Sequence, residues 1–150
     1  MRKSVKVRII ILDILNEIHQ KNKNFDESFF TKTKNLKLND QDRSMIYNVT
    51  LNSIRNHLFI LEILNNFLRK KTSLKIRILL LCAITQILYL DFKDYAVTND
   101  SVEIAKIKKT NPSLINSLLK NVIKNKESIN KRKFSQSSVP SWFVEALKKN

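Results

Sequence analysis

Ile78-Leu-Leu-Leu-Cys-Ala-Ile-Thr-Gln-Ile-Leu-Tyr-Leu90 is the stretch whose reading decides the fold. It carries no charged side chain, and Thr85 and Gln86 are its main polar interruptions. A helix that is apolar nearly all round belongs at the centre of a bundle. The run is too short to span a bilayer, which needs about 20 apolar residues. Ser73 is placed to cap it, so the helix is expected over 74–90. A polar break at 91–94 follows. A second, amphipathic helix is then predicted at about 96–109 from Val97, Val102, Ile104, Ala105 and Ile107.

The same reading extends outward in both directions. Val7, Ile10, Ile11, Ile14, Leu15 and Ile18 recur at helical spacing over 4–20. A short helix at about 25–35 is expected to bury Phe25, Phe29 and Phe30. Asn39 is a cap for a long apolar pattern that runs from Asp42 to about residue 69. That length predicts either a break near Asn56-His57 or one bent helix. Asn111-Pro112 starts a helix that buries Leu114, Ile115, Leu118, Leu119, Val122 and Ile123. The expected organisation is a helical domain over 1–125, a basic polar linker over 126–138, and a short C-terminal helix over 139–150. No strand pattern emerges, so the fold class is all-α: a compact bundle of about six to seven helices.

Composition limits the chemistry. The chain has 150 residues and no glycine. Phosphate-cradling loops of nucleotide and AdoMet sites rely on glycine for close backbone approach, so such loops are not expected. Cys82 is the lone cysteine. It lies in the apolar run with no charged or imidazole neighbour in sequence, which predicts an inert buried thiol and a reducing, cytoplasmic setting. His19 and His57 have no Cys or second His at ligand spacing, so no metal site is expected. Asp40, Asp42, Asp91 and Asp94 fall at helix ends, where capping accounts for them without acid–base catalysis. Arg2 and Lys3 before Ile9-Ile-Ile-Leu12 superficially resemble a signal peptide, but Asp13 and Glu17 interrupt the apolar run.

The net charge is +15. Such a charge favours an anionic partner, with nucleic acid ahead of a membrane surface. Lys, Asn and Ile together make up about a third of the residues, so compositional bias explains part of it. Arg2, Lys3, Lys6 and Arg8 crowd the start of the first helix, where positive charge opposes the helix dipole. Arg69, Lys70, Lys71, Lys75 and Arg77 form the densest run without an acid.

Three blocks resemble the NusB-like domain, which occurs in the antitermination factor NusB and at the N-terminus of RsmB-class ribosomal RNA cytosine-5 methyltransferases. Leu79 to Leu90 resembles "LLRLGxYQLLYL". Ala96-Val-Thr-Asn-Asp-Ser-Val-Glu-Ile-Ala-Lys106 resembles "AAVNEAVELAK". Leu114-Ile-Asn-Ser-Leu-Leu-Lys120 resembles "FVNAVLR". Upstream, Asp42-Arg43 and Ser53-Ile-Arg55 resemble "DR…GVLR". The chain departs from the pattern at Asn52 and Ala83, where the family has glycine, at Leu81 for arginine, and at Thr85 for tyrosine. Val139-Pro-Ser-Trp142-Phe-Val-Glu-Ala-Leu147 resembles the segment leading into the methyltransferase part of the RsmB class.

The resemblance implies a non-catalytic RNA-binding module with no cofactor. Ribosomal RNA is the expected partner, assisted by a ribosomal protein or a separately encoded methyltransferase domain. No membrane and no small-molecule substrate are implied. The AdoMet-binding and catalytic cysteine region is not expected in this chain. Arg2, Lys3, Lys6 and Arg8 occupy the position of the family's arginine-rich N-terminus, so they are the leading phosphate contacts. Lys120 and Lys124, one turn apart, extend the candidate RNA-binding set. Asn116 and Gln86 are expected to be buried amides that bridge helices. The aromatics Phe29, Phe30, Phe59, Phe67 and Tyr89 are expected in the core rather than against RNA.

Overall fold

A computed structural model describes residues 1–135. The described residues form eight helices and no strand. They are α1 (Lys3–Lys21), α2 (Phe25–Thr33), α3 (Asp40–Arg55), α4 (His57–Phe67), α5 (Leu74–Tyr89), α6 (Asp94–Ile107), α7 (Pro112–Lys124) and α8 (Lys126–Ser135). The C-terminal helix expected over 139–150 lies outside the described residues.

The apolar stretch is the hub. Every residue of α5 from Ile78 to Leu88 is buried except the half-buried Leu81. Helices α1, α3, α4, α6 and α7 all pack against it, and α6 and α7 form an antiparallel pair beside it. Leu80, Ile84 and Ile87 share one apolar core with Ile11 and Ile14 of α1, Ile46 of α3, Ile60 and Ile63 of α4, and Ile115 and Leu119 of α7. Full burial of such side chains contributes about 1.5–3 kcal/mol each, so α5 carries much of the driving force.

Caps mark the helix starts. The side-chain oxygens of Asn24, Asn39, Ser73 and Asn111 accept from the backbone N–H three residues on, at 2.8, 2.7, 3.4 and 3.1 Å. The predicted break falls at Asn56, whose N–H returns to the Asn52 carbonyl while its side chain binds the same oxygen. Without glycine, left-handed backbone falls to Asn22 after α1 (φ 54) and Lys109 after α6 (φ 53). At the second site, Thr110 N–H donates to Ala105 O and closes the helix end.

Two expectations are corrected. The linker begins as a helix, α8. Ile129 is its buried apolar anchor, and the apolar residues of its sequence are too few to show a period. Polar contacts fix it instead. Lys126 Nζ meets Asp94 Oδ1 at 3.1 Å and Arg132 Nη2 meets Glu62 Oε1 at 3.1 Å. Lys133 Nζ donates to the Leu88 carbonyl at 2.9 Å, near the end of α5. Phe30 is also not in the core. It is 65% exposed, with Lys34 Nζ 5.9 Å from its ring centroid. Phe25 and Phe29 instead meet the Tyr47 ring of α3, tilted and edge-on, at centroid distances of 5.1 and 5.5 Å.

Candidate nucleic-acid interface

The four basic residues at the start of α1 divide by helical position. Arg8 sits one turn inside the helix, on the same face as Val5, Ile11 and Leu12. It is only 5% exposed. Its Nε donates to Gln86 Oε1 at 2.8 Å, and its Nη1 to Asp100 Oδ2 at 2.9 Å and to the Ser4 carbonyl at 3.3 Å. The guanidinium also lies 5.6 Å from the Phe92 ring centroid. Burial pulls its pKa down, and the Asp100 carboxylate pulls it back up. The amide Nε2 of Gln86 donates to Cys82, at its carbonyl and its Sγ.

Arg8 is therefore a core residue that ties α1 to α5 and α6. That corrects its placement among the surface phosphate contacts. A buried charge must be paired, and here Nε and Nη1 of the guanidinium are committed within the fold. The buried bridging amide expected at Gln86 is the other half of this arrangement.

The remaining three side chains of the cluster reach solvent. Arg2 Nη2 meets the second oxygen of Asp100 at 3.0 Å, so one carboxylate holds both a buried and an exposed arginine. Lys3 Nζ meets Asp42 Oδ2 at the start of α3 at 3.0 Å. Lys6 is exposed, with no ion pair among the described residues.

Arg2 also lines an open groove of about 480 Å³ between α6 and α7. The groove is walled by Asn99, Val102, Glu103 and Lys106 from α6 and by Ser113 and Asn116 from α7. Asn116 is half-buried there rather than sealed in the core, which corrects its expected place. Lys120 and Lys124 follow Asn116 at one-turn steps, and both are exposed. Lys124 ends α7 close to the Lys126–Asp94 pair, so this surface lies at the C-terminal end of α5.

One residue escaped the sequence reading. Tyr95, one turn before Asn99, is 65% exposed, and Lys93 Nζ lies 5.9 Å from its ring centroid. An exposed ring beside cations suits stacking on an unpaired base. Its only sequence signal is that it falls off the apolar period of α6.

Catalytic chemistry has little to work with among the described residues. No group of three His, Cys, Asp or Glu is placed to hold a metal. Burial pushes the Cys82 thiol up to about 12, despite the nearby Arg8 charge and the Gln86 hydrogen bond. Such a thiol is a poor nucleophile. His57 uses Nδ1 against the Ile54 carbonyl at 2.8 Å. No helix of the described residues is long and apolar enough to cross a membrane.

The family model for the NusB family matches residues 5–124. The chain belongs to the NusB family. The match runs from α1 to the end of α7, so the Arg8–Asp100 pair, the α6–α7 groove and Lys120 all lie inside the NusB-family region. Membership points to an RNA-binding or antitermination-related role, and the all-helical bundle is the fold expected of it. None of the curated proteins compared with the chain matches it.

Proposed function

We propose that this chain is a non-catalytic RNA-binding module of the NusB/RsmB type, acting on ribosomal RNA during its methylation or processing. The observation that carries the reading is the surface where the start of α1 meets the α6–α7 groove. It combines exposed cations at Arg2, Lys3, Lys6, Lys120 and Lys124 with groove amides at Asn99 and Asn116 and the exposed ring of Tyr95. Cations neutralise phosphates and supply affinity. Amides reach base edges, and a ring accepts a splayed base. The block at 139–147, which resembles the lead into a methyltransferase, supports the methylation branch of the reading. It lies outside the described residues.

The test is RNA binding by the purified chain over a range of salt. Affinity for a structured ribosomal RNA fragment should fall steeply as salt rises. Charge reversal at Lys3, Lys6 and Lys120 should weaken binding while the helical spectrum stays unchanged. Salt-insensitive affinity, or reversal without effect, overturns the reading.

A second observation favours a protein partner as well. Leu58 (55% exposed) and Leu61 (37% exposed) stand one turn apart on α4. That apolar strip suits docking of a ribosomal protein or a methyltransferase domain. A partner that co-purifies after nuclease treatment, and is lost on Leu58→Ser, supports this second role.

A further inference from the structure

We propose that the α4–α5 connector is a second RNA-backbone contact surface, at the opposite end of α5 from the first. The inference rests on the RNA-binding reading above and extends it to residues which that reading leaves unused. The connector and first turns of α5 hold Arg69, Lys70, Lys71, Lys75 and Arg77. The first four are exposed and Arg77 is half-buried. None of the five has an acidic partner among the described residues.

The contrast with the first surface is informative. There, Asp100 and Asp42 already neutralise Arg2 and Lys3 in part. Here nothing does. The positive end of a 16-residue helix adds to the same potential, because the first turn of α5 contains no acid. Like charges gathered at this point repel one another in the free protein. A polyanion relieves that repulsion on binding and releases its own counterions.

The flanking residues separate an RNA from a membrane. A membrane-binding segment needs exposed apolar side chains beside its cations. In this connector Leu68, Leu74 and Ile76 turn inward and pack on the core, and Thr72 and Ser73 fill the loop. The exposed chemistry is cationic and polar, which fits phosphates.

Geometry makes the two surfaces independent. Lys3 pairs with Asp42, and Asp42 shares a cleft with Leu90, Asp91 and Phe92 just past the C-terminal end of α5. The connector precedes its N-terminal end. The helix between is about 24 Å long, well beyond a Debye length of about 8 Å at physiological salt. One RNA touching both ends must run across the bundle.

The experiment compares three full-length proteins: wild type, Lys70→Gln/Lys71→Gln/Lys75→Gln, and Lys3→Gln/Lys6→Gln/Lys120→Gln. The probe is a fluorescently labelled RNA stem-loop with single-stranded flanks, titrated at several salt concentrations. The three lysines are exposed and meet no acid among the described residues, so their replacement removes no described ion pair. The connector variant should bind roughly tenfold more weakly, with a salt slope shallower by about 2. Ultraviolet cross-links from the RNA should also map to the peptide containing Lys70 and Lys71. A connector variant that matches wild type in affinity and slope overturns the inference. If the N-terminal variant is then the weaker binder, the RNA-binding reading stands alone. Wild-type protein that fails to bind the RNA overturns both. So does wild-type protein that binds only phosphatidylserine vesicles and loses them on the connector substitutions.

Discussion

The start of α1 and the α4–α5 connector look alike in sequence, and they are built differently. Each is a short run of Arg and Lys at the N-terminal end of a helix, where the dipole opposes positive charge. In α1 the fold answers with acids brought from afar. Asp100 takes Arg2 and Arg8, and Asp42 takes Lys3. In the connector no acid arrives among the described residues. A basic run thus has two meanings: charge that holds helices together, and charge left facing outward for a partner. Only the tertiary contacts distinguish them.

The largest effect that sharpens this comparison is on stability. Arg8→Met removes one partner of a buried pair and strands Gln86 and part of Asp100. Losing a partner in such an arrangement costs about 3–5 kcal/mol, here toward the lower figure because exposed Arg2 still meets Asp100. Lys75→Met, in the first turn of α5, should stay within about 0.5 kcal/mol. Urea unfolding of both variants checks the pair. Equal losses would erase the distinction between the two runs.

What the sequence reveals follows the range of the interaction. The central helix was legible because its apolar run, its Ser73 cap and the polar break after it are all local. The break at Asn56 was legible because the apolar pattern outran an ordinary helix. Arg8 was not. Its partners Gln86 and Asp100 lie 78 and 92 residues away, and its place one turn from Val5, Ile11 and Leu12 is the local sign that sets it apart from Lys6. The α8 helix was hidden for a related reason. Its sequence is mostly polar, and beside the buried Ile129 its described contacts are polar ones, to Asp94, Glu62 and the carbonyl of Leu88. The apolar residues around Asn116 point it to the core, whereas the shallow groove between α6 and α7 leaves it half open. Of the six candidate RNA contacts, Arg2, Lys3, Lys6, Lys120 and Lys124 remain at the surface, while Arg8 is spent on the fold.

The next effect separates binding from folding within α1 itself. Lys6→Glu should weaken RNA binding severalfold and leave unfolding within about 0.5 kcal/mol of wild type. Arg8 variants should lose binding only in proportion to the folded fraction. Measuring affinity under conditions where each variant is fully folded tests this. Weakened binding by a fully folded Arg8→Met would return Arg8 to the contact surface.

Alkali probes the paired end through Cys82, whose sulfur touches Gln86 at 3.3 Å. Its pKa is raised from 9.0 to about 12 by burial. Below 9 the thiol is neutral in both folded and unfolded chains, so it adds no pH dependence. As the pH climbs from 9 toward 12, the unfolded chain loses the proton first, and stability falls. Tyr89, also raised to about 12 by burial, adds to the fall in the same direction. Cys82→Ser or Cys82→Ala should flatten that part of the profile. Iodoacetamide should label Cys82 slowly in the native protein and rapidly in Arg8→Met, where the packing around Gln86 is loosened.

The smallest effect is the most direct comparison of the two runs. Lys75→Glu places an acid in the first turn of α5, beside Arg69, Lys70 and Lys71. The helix dipole and the neighbouring cations both favour the change, which should stabilise the protein by about 0.3–1 kcal/mol at low salt. For a domain of this size that corresponds to a Tm rise of roughly 1–4 °C. The gain should shrink as salt screens the surface charges. At Lys3 the same substitution should go the other way. It removes the partner of Asp42 and sets two acids together, so any help from the dipole at the start of α1 is offset. The decisive reading takes Lys75→Glu in both assays. If the variant melts higher and binds RNA more weakly, the connector's charge is held against stability and serves a partner. If it melts higher and binds RNA equally well, that charge is surplus, and the basic start of α1, held by Asp42 of α3 and Asp100 of α6, is the surface at work.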